Sequence, residues 1–267
     1  MDTQLVLLAF GLTLLAGLST VLGSVFAFFT KTTNTKFLSG AMGFSAGVML
    51  YISFVELLPE GVEFLSEHVG EGTGNLYAIV AFFAGILVIA VIDKLIPSFE
   101  NPHEMHKVEE INQVDKKNGL HRVGVFTALA IAIHNFPEGL VTFTATLADP
   151  ALGISIAIAI AIHNIPEGIA VAVPIYYATG SRKKAFLYSF LAGIAEPIGA
   201  LIGFTFFLHF FNDLILGILF ASVAGIMVFI SLDELLPAAE KYGEHHISIY
   251  GLILGMAVMA ASLLMLG

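Results

Sequence analysis

Cysteine is missing from this chain of 267 residues. Neither disulfides nor thiolate metal ligands are available, so any metal site must be built from histidine, carboxylate and amide groups. Charge is scarce too. Only 12% of residues are charged against 57% hydrophobic, where soluble domains carry about 25% charged residues. The mean hydropathy of +0.91 lies outside the soluble range. The charge present sums to −10, which argues against nucleic acid as a partner. No P-loop is present, so ATP is not expected either. The N-terminus has no charged head or cleavage site of a signal peptide, and the apolar run from Gln4 is read as a membrane span.

About 20 apolar residues cross a bilayer core. Runs of that kind predict eight spans, near 4–29, 38–58, 76–97, 123–147, 151–176, 184–209, 213–237 and 247–266. Long continuous runs favour an all-α bundle over a barrel. The expected architecture is an all-α polytopic membrane protein with one transmembrane domain over 1–267. A polar segment, 98–121, lies within it. The eleven basic residues are Lys31, Lys36, Lys94, Lys107, Lys116, Lys117, Arg122, Arg182, Lys183, Lys184 and Lys241. With eight spans all of them fall on one side. The positive-inside rule makes that side the cytoplasm and places both termini outside. The stretch from Glu60 to Glu71, expected as an outer loop, is acidic instead, with Glu60, Glu63, Glu67, His68 and Glu71.

Two internal repeats stand out. ALAIAIHNFPEG at Ala128–Gly139 matches AIAIAIHNIPEG at Ala157–Gly168 in ten of twelve positions. AGVMLYISFVELLP at Ala46–Pro59 parallels AGIMVFISLDELLP at Ala224–Pro237. A fainter echo links LAGLSTVLG at Leu15–Gly23 to LAGIAEPIG at Leu191–Gly199. Spans 1–3 thus answer spans 6–8, and span 4 answers span 5, each across an odd number of crossings. That is inverted-topology symmetry, a plan that places a transporter's binding site near the midplane.

His134, Asn135 and Glu138 fall in the middle of span 4. His163, Asn164 and Glu167 do so in span 5, and Glu196 in span 6. Carboxylates at that depth cost about 2.5–3.5 kcal/mol each on insertion scales. No Lys or Arg shares the depth, so a cation from outside the chain is the expected partner. His134 and Glu138 are four residues apart and share a helix face; span 5 repeats the relation from the opposite direction. Imidazole with carboxylate suits zinc, iron, manganese or cobalt, whereas an all-oxygen cage suits magnesium or calcium. Pro137, Pro166 and Pro197 remove backbone donors and are expected to disturb the helices at the carbonyls of Ile133, Ile162 and Gly193. The bland alternative is interhelical hydrogen-bond glue.

The paired HNFPEG and HNIPEG motifs, the Glu196-Pro197 span and the eight-span plan resemble the ZIP (Zrt/Irt-like) metal transporters, particularly the bacterial zinc-uptake branch. The resemblance covers nearly the whole chain. It implies uptake of divalent metal into the cytoplasm across a bacterial inner membrane, usually by a homodimer, through a binuclear centre between spans 4 and 5. Carried onto this sequence, His134, Glu138, His163 and Glu167 would take one metal. Asn135, Asn164 and Glu196 would take a second, with Glu138 and Glu167 bridging. The family often accepts iron, manganese, cobalt and cadmium besides zinc. The metal is then cargo, and no catalytic cofactor is expected.

Glu56 and the pair Asp233 and Glu234 admit two readings, relay ligands on the path or helix ends facing water. His103, His106 and His121 in segment 98–121, and His245 and His246 before the last span, are candidates for holding metal on the cytoplasmic side; a flexible polar loop fits 98–121 as well. His209 and His68 read as solvated or interfacial. An exporter built on the same site and an intramembrane metalloenzyme are the competing functions. The enzyme reading is the weaker, because HNxPE lacks the free general base of HExxH.

Overall fold

The computed structural model describes residues 2–27, 35–95, 116–210, 212–242 and 245–266. Nearly all of them are helical and none is in a strand. The first span is Thr3–Ala27. The second runs through Thr35–Ile52, a π-helical turn Ser53–Leu57 and Leu58–Val69. The third is Glu71–Leu95, the fourth Lys116–Ala148 and the fifth Pro150–Thr179. The sixth is two stacked pieces, Arg182–Gly193 and Ala195–Phe210. The seventh runs through Asp213–Ile230, a second π-helical turn Ser231–Leu235 and Leu236–Tyr242. The eighth is His245–Leu266. Among the described residues, seven of these are long and apolar enough to cross a membrane. The fourth has 33 residues, about 50 Å of helix at 1.5 Å per residue. The chain is an all-helical polytopic membrane protein.

Two sequence expectations need correction. The second span does not stop near residue 58, and the acidic stretch after it is not a loop: Glu60, Glu63, Glu67 and His68 lie on the helix Leu58–Val69. Pro59 comes just after the π-helical turn, so its missing N–H falls where the helical hydrogen-bond register changes. Nor do the prolines of spans 4 and 5 break them. Both helices continue through Pro137 and Pro166, because a proline φ near −65° is already helical and only one backbone bond is lost. Of the three spans that carry Pro137, Pro166 and Pro197, only the sixth is interrupted among the described residues, at Ile194, where one helix ends and the next begins.

Short connections reverse the chain. Asp149 alone joins spans 4 and 5; its side chain caps the fifth by accepting from Ala151 N at 2.8 Å, with Pro150 in the first turn. Gly180, at φ +64°, ends the fifth span, a left-handed conformation that glycine adopts without strain. Ser181 then caps the sixth and Asn212 the seventh. Each reversal makes neighbouring spans antiparallel.

Packing follows the repeats. Span 2 lies along span 8 as span 7 lies along span 3, and span 1 lies along span 5 as span 6 lies along span 4. The glycines that allow these close approaches correspond one to one. Gly23 abuts the Ile165 carbonyl, and Gly199 abuts that of Phe136. Gly168 abuts the Thr20 carbonyl, and Gly139 that of Glu196. Gly47 meets Leu252 as Gly225 meets Phe82, and Gly255 meets Phe44 as Gly85 meets Ser222. The last two pairs establish a correspondence between spans 3 and 8 for which no sequence motif was found. A Cβ at any of these glycines would collide with backbone, so glycine sets the interhelical distance.

Burial is inverted relative to a water-soluble protein. Phe83, Leu87, Ile253 and Leu254 are more than half exposed, while the His, Asn and Glu residues of spans 4 and 5 and Glu196 are at most 1% exposed. An apolar exterior around a polar interior is stable only where lipid is the outer solvent.

Candidate metal centre

Spans 4 and 5 pack along each other, and the Gly139 and Gly168 contacts bring spans 6 and 1 against them. Each HNxPEG segment then presents one face of an unbroken helix to its antiparallel copy. His134 Nε2 lies 3.1 Å from Glu167 Oε2. Reciprocally, His163 Nε2 lies 3.3 Å from Glu138 Oε1, without the alignment of a hydrogen bond. The asparagines are anchored reciprocally as well. Asn164 Nδ2 donates to the Ala16 carbonyl at 3.0 Å, and Asn135 Nδ2 to the Ala192 carbonyl at 3.3 Å. Asn164 Nδ2 also donates to Glu196 Oε1. That contact brings in the third carboxylate and breaks the symmetry, because span 1 has Thr20 in the corresponding place.

These seven side chains are buried, yet much of their polar surface is unpaired. Both oxygens of Glu138 lack a hydrogen-bond partner, as do Glu167 Oε1, Glu196 Oε2, Asn135 Oδ1, Asn164 Oδ1 and Nδ1 of both histidines. Each such atom costs about 1–3 kcal/mol, more when it is charged. No Lys or Arg is among the buried residues described. The accumulated groups are acceptors that a divalent cation satisfies. The His and Glu groups stand as two crossed pairs; among the described residues no three His, Asp or Glu side chains enclose a common point. An apolar crevice of about 380 Å³ opens between spans 3, 4 and 7, lined by Val88, Ile133, Phe136 and Ile226 among others. It carries no polar side chain and is not the ion's site.

The remaining candidates separate. Glu234, in the second π-helical turn, lies within electrostatic reach of His134 and Glu167. Asp233 beside it is exposed. Glu56, in the first π-helical turn, has Glu60 as its acidic neighbour instead. The π turns were not anticipated. Their signal was present in the paired ISFVELLP and ISLDELLP segments, but a one-residue helical bulge has no composition of its own. His245 pairs with Glu240 at 2.7 Å and His246 stacks on Tyr250, all at an exposed end of the bundle. They are not brought to the centre. His103 and His106, and the side chains of His121 and His209, lie outside the described residues. The hydroxyls packed around the centre were missed as well: Ser45 donates to the His163 carbonyl and Thr142 to that of Glu138.

Comparison with known proteins agrees with this architecture. The sequence profile of the ZIP zinc transporter family matches residues 4–93 and 97–263. A zinc transporter ZupT of Nitratidesulfovibrio vulgaris is 61% identical, with 99% of both chains covered. Proteins of the same name from Clostridium perfringens and Streptococcus mutans are each 59% identical, covering 97% and 96% of this chain and 96% and 97% of their own.

Proposed function

The chain belongs to the ZIP zinc transporter family, and from that premise we propose that its crossed His–Glu pairs are where zinc is held on its way into the cytoplasm. It is a membrane transporter of zinc, not an enzyme. The observation that supports the proposed site is the set of unpaired acceptor atoms on Glu138, Glu167, Glu196, Asn135 and Asn164, with no Lys or Arg among the described buried residues.

In this reading His134, Glu138, His163 and Glu167 hold one ion and Asn135, Asn164 and Glu196 a second, with Glu138 and Glu167 shared between them. A dication draws the carboxylates away from the imidazoles and takes both as ligands. The mixed nitrogen and oxygen set admits iron, manganese, cobalt and cadmium as well as zinc. By the positive-inside rule the basic connections favour a cytoplasmic His245 end of the eighth span, with both termini outside. The inside-negative potential of a bacterial inner membrane then favours influx of a dication by about 4.6 kcal/mol per 100 mV, without ATP. The acidic outer face of Leu58–Val69 gathers cations before they enter. A homodimer is the expected assembly, and alternating access by rocking of the two inverted repeats the expected cycle.

Zinc influx into liposomes, compared for wild type, Glu138→Gln and Glu167→Gln, tests the proposal. Saturable influx in wild type that is lost in both folded variants supports it. Zinc carried equally well by the variants removes the site from the path, and flux driven only outward under an inside-negative potential replaces uptake by export.

A further inference from the structure

Thr20 sits where the inverted repeat places a counterpart to Glu196. Thr20 and Glu196 occupy the same position of LAGLSTVLG and LAGIAEPIG. The structure keeps that equivalence: the Thr20 carbonyl lies against Gly168 as the Glu196 carbonyl lies against Gly139. Glu196 accepts from Asn164; across the pseudo-axis, Asn135 Oδ1 is unpaired, and the span that carries it also packs against the first span. Thr20 is wholly buried and its Oγ1 has no hydrogen-bond partner.

A buried threonine in a helix ordinarily returns its hydroxyl to the carbonyl four residues back. Thr13 does so to Ala9, and Ser19 and Ser24 bond to carbonyls three residues back. For Thr20 that acceptor is Ala16, whose carbonyl already accepts from Ser19 Oγ at 2.6 Å and Asn164 Nδ2 at 3.0 Å. These two bonds, one local and one from Asn164, occupy the acceptor that Thr20 would otherwise use. A buried oxygen with free lone pairs is left at the position that corresponds to Glu196 in the other half.

We propose that Thr20 is a further ligand of the transported metal, a neutral oxygen donor that serves the Asn135 side of the centre as Glu196 serves the Asn164 side. The inference rests on the metal site proposed above. It makes the two halves of a symmetric scaffold unequal: one carries an extra carboxylate, the other a hydroxyl that binds weakly and releases readily. A dication at the Asn135 side is thus held less firmly than one at the Asn164 side.

The test is metal influx into liposomes by Thr20→Val, Thr20→Ser, Thr20→Cys, Ser24→Cys and Glu138→Gln. Thr20→Val keeps the shape and removes the donor; its half-saturating zinc concentration is expected to rise about tenfold, the lower range for loss of a group supporting a metal site, while Thr20→Ser stays near wild type. Because the chain has no other cysteine, Thr20→Cys installs a single soft ligand. Its preference for cadmium over zinc is expected to increase about tenfold, whereas Ser24→Cys, with a hydroxyl bonded to its own helix, leaves the preference unchanged. An unchanged cadmium preference in Thr20→Cys overturns the proposal, even if Thr20→Val is impaired or fails to fold, since loss of packing then accounts for that defect. Glu138→Gln keeps the two ideas apart. If it is inactive while the Thr20 variants behave as wild type, only the Thr20 assignment falls; if it transports normally, the underlying site falls and this inference with it.

Discussion

Gly17 and Gly193 face each other across the pseudo-two-fold axis, each with its α-carbon side against the other's carbonyl oxygen. They occupy the same position of the two LAG segments, so the contact is its own symmetry mate. It fixes how closely spans 1 and 6 approach and hence how far apart the two halves of the centre stand. Pro197 contributes, since its missing N–H leaves the Gly193 carbonyl without the donor four residues on.

Adding a side chain at this contact is expected to separate the spans. Gly17→Val should destabilise the protein by about 1–3 kcal/mol, the usual cost of overpacking. Gly11, where a Cβ meets nothing within 4 Å, should accept alanine without loss. Thermal unfolding of the purified protein in detergent compares the two.

The crossed pairs are expected to be energetically coupled within each pair. Removing one partner leaves a buried polar group exposed to apolar surroundings, and His134→Ala alone should cost about 3–5 kcal/mol. His134→Ala with Glu167→Ala should cost less than the sum of the two, whereas His134→Ala with Glu138→Ala should be closer to additive. A double-mutant cycle on unfolding in zinc-free buffer measures this; equal coupling in both combinations would contradict the pairing.

Acid is expected to weaken zinc binding. The ligands bind metal only when deprotonated, so protons and zinc compete for the imidazoles and carboxylates. The sign is fixed by that competition: apparent affinity falls as pH falls, by up to about tenfold per pH unit for each proton displaced. Influx measured at neutral and mildly acidic pH with the membrane potential clamped reads it directly. A half-saturating concentration that does not move would exclude His134 and His163 as ligands.

The two π-helical turns should contribute unequally. Glu234 interacts electrostatically with His134 and Glu167, whereas the acidic neighbour of Glu56 is Glu60, so Glu234→Gln should depress influx several-fold more than Glu56→Gln. Expression and unfolding temperature serve as controls, and the reverse order would place the first π turn on the metal path.

The sequence alone determined that the chain lives in a membrane, that its halves are inverted copies and which residues form the polar centre. Those conclusions rest on composition and spacing: long apolar runs have one solvent in which they are stable, and HNxPEG puts the same groups on the same face of any helix that contains it. Tertiary structure decided the rest. That His134 faces Glu167 rather than Glu138 is a relation between helices, set by how the antiparallel spans 4 and 5 pack on each other. That Pro137 and Pro166 pass through intact helices while the sixth span divides at Ile194 depends on the neighbours that hold each backbone. Thr20 shows the limit most clearly. In sequence it is one more hydroxyl in an apolar run; it becomes notable only once folding gives the Ala16 carbonyl to Asn164, because hydrogen-bond acceptors are finite and only the folded chain assigns them.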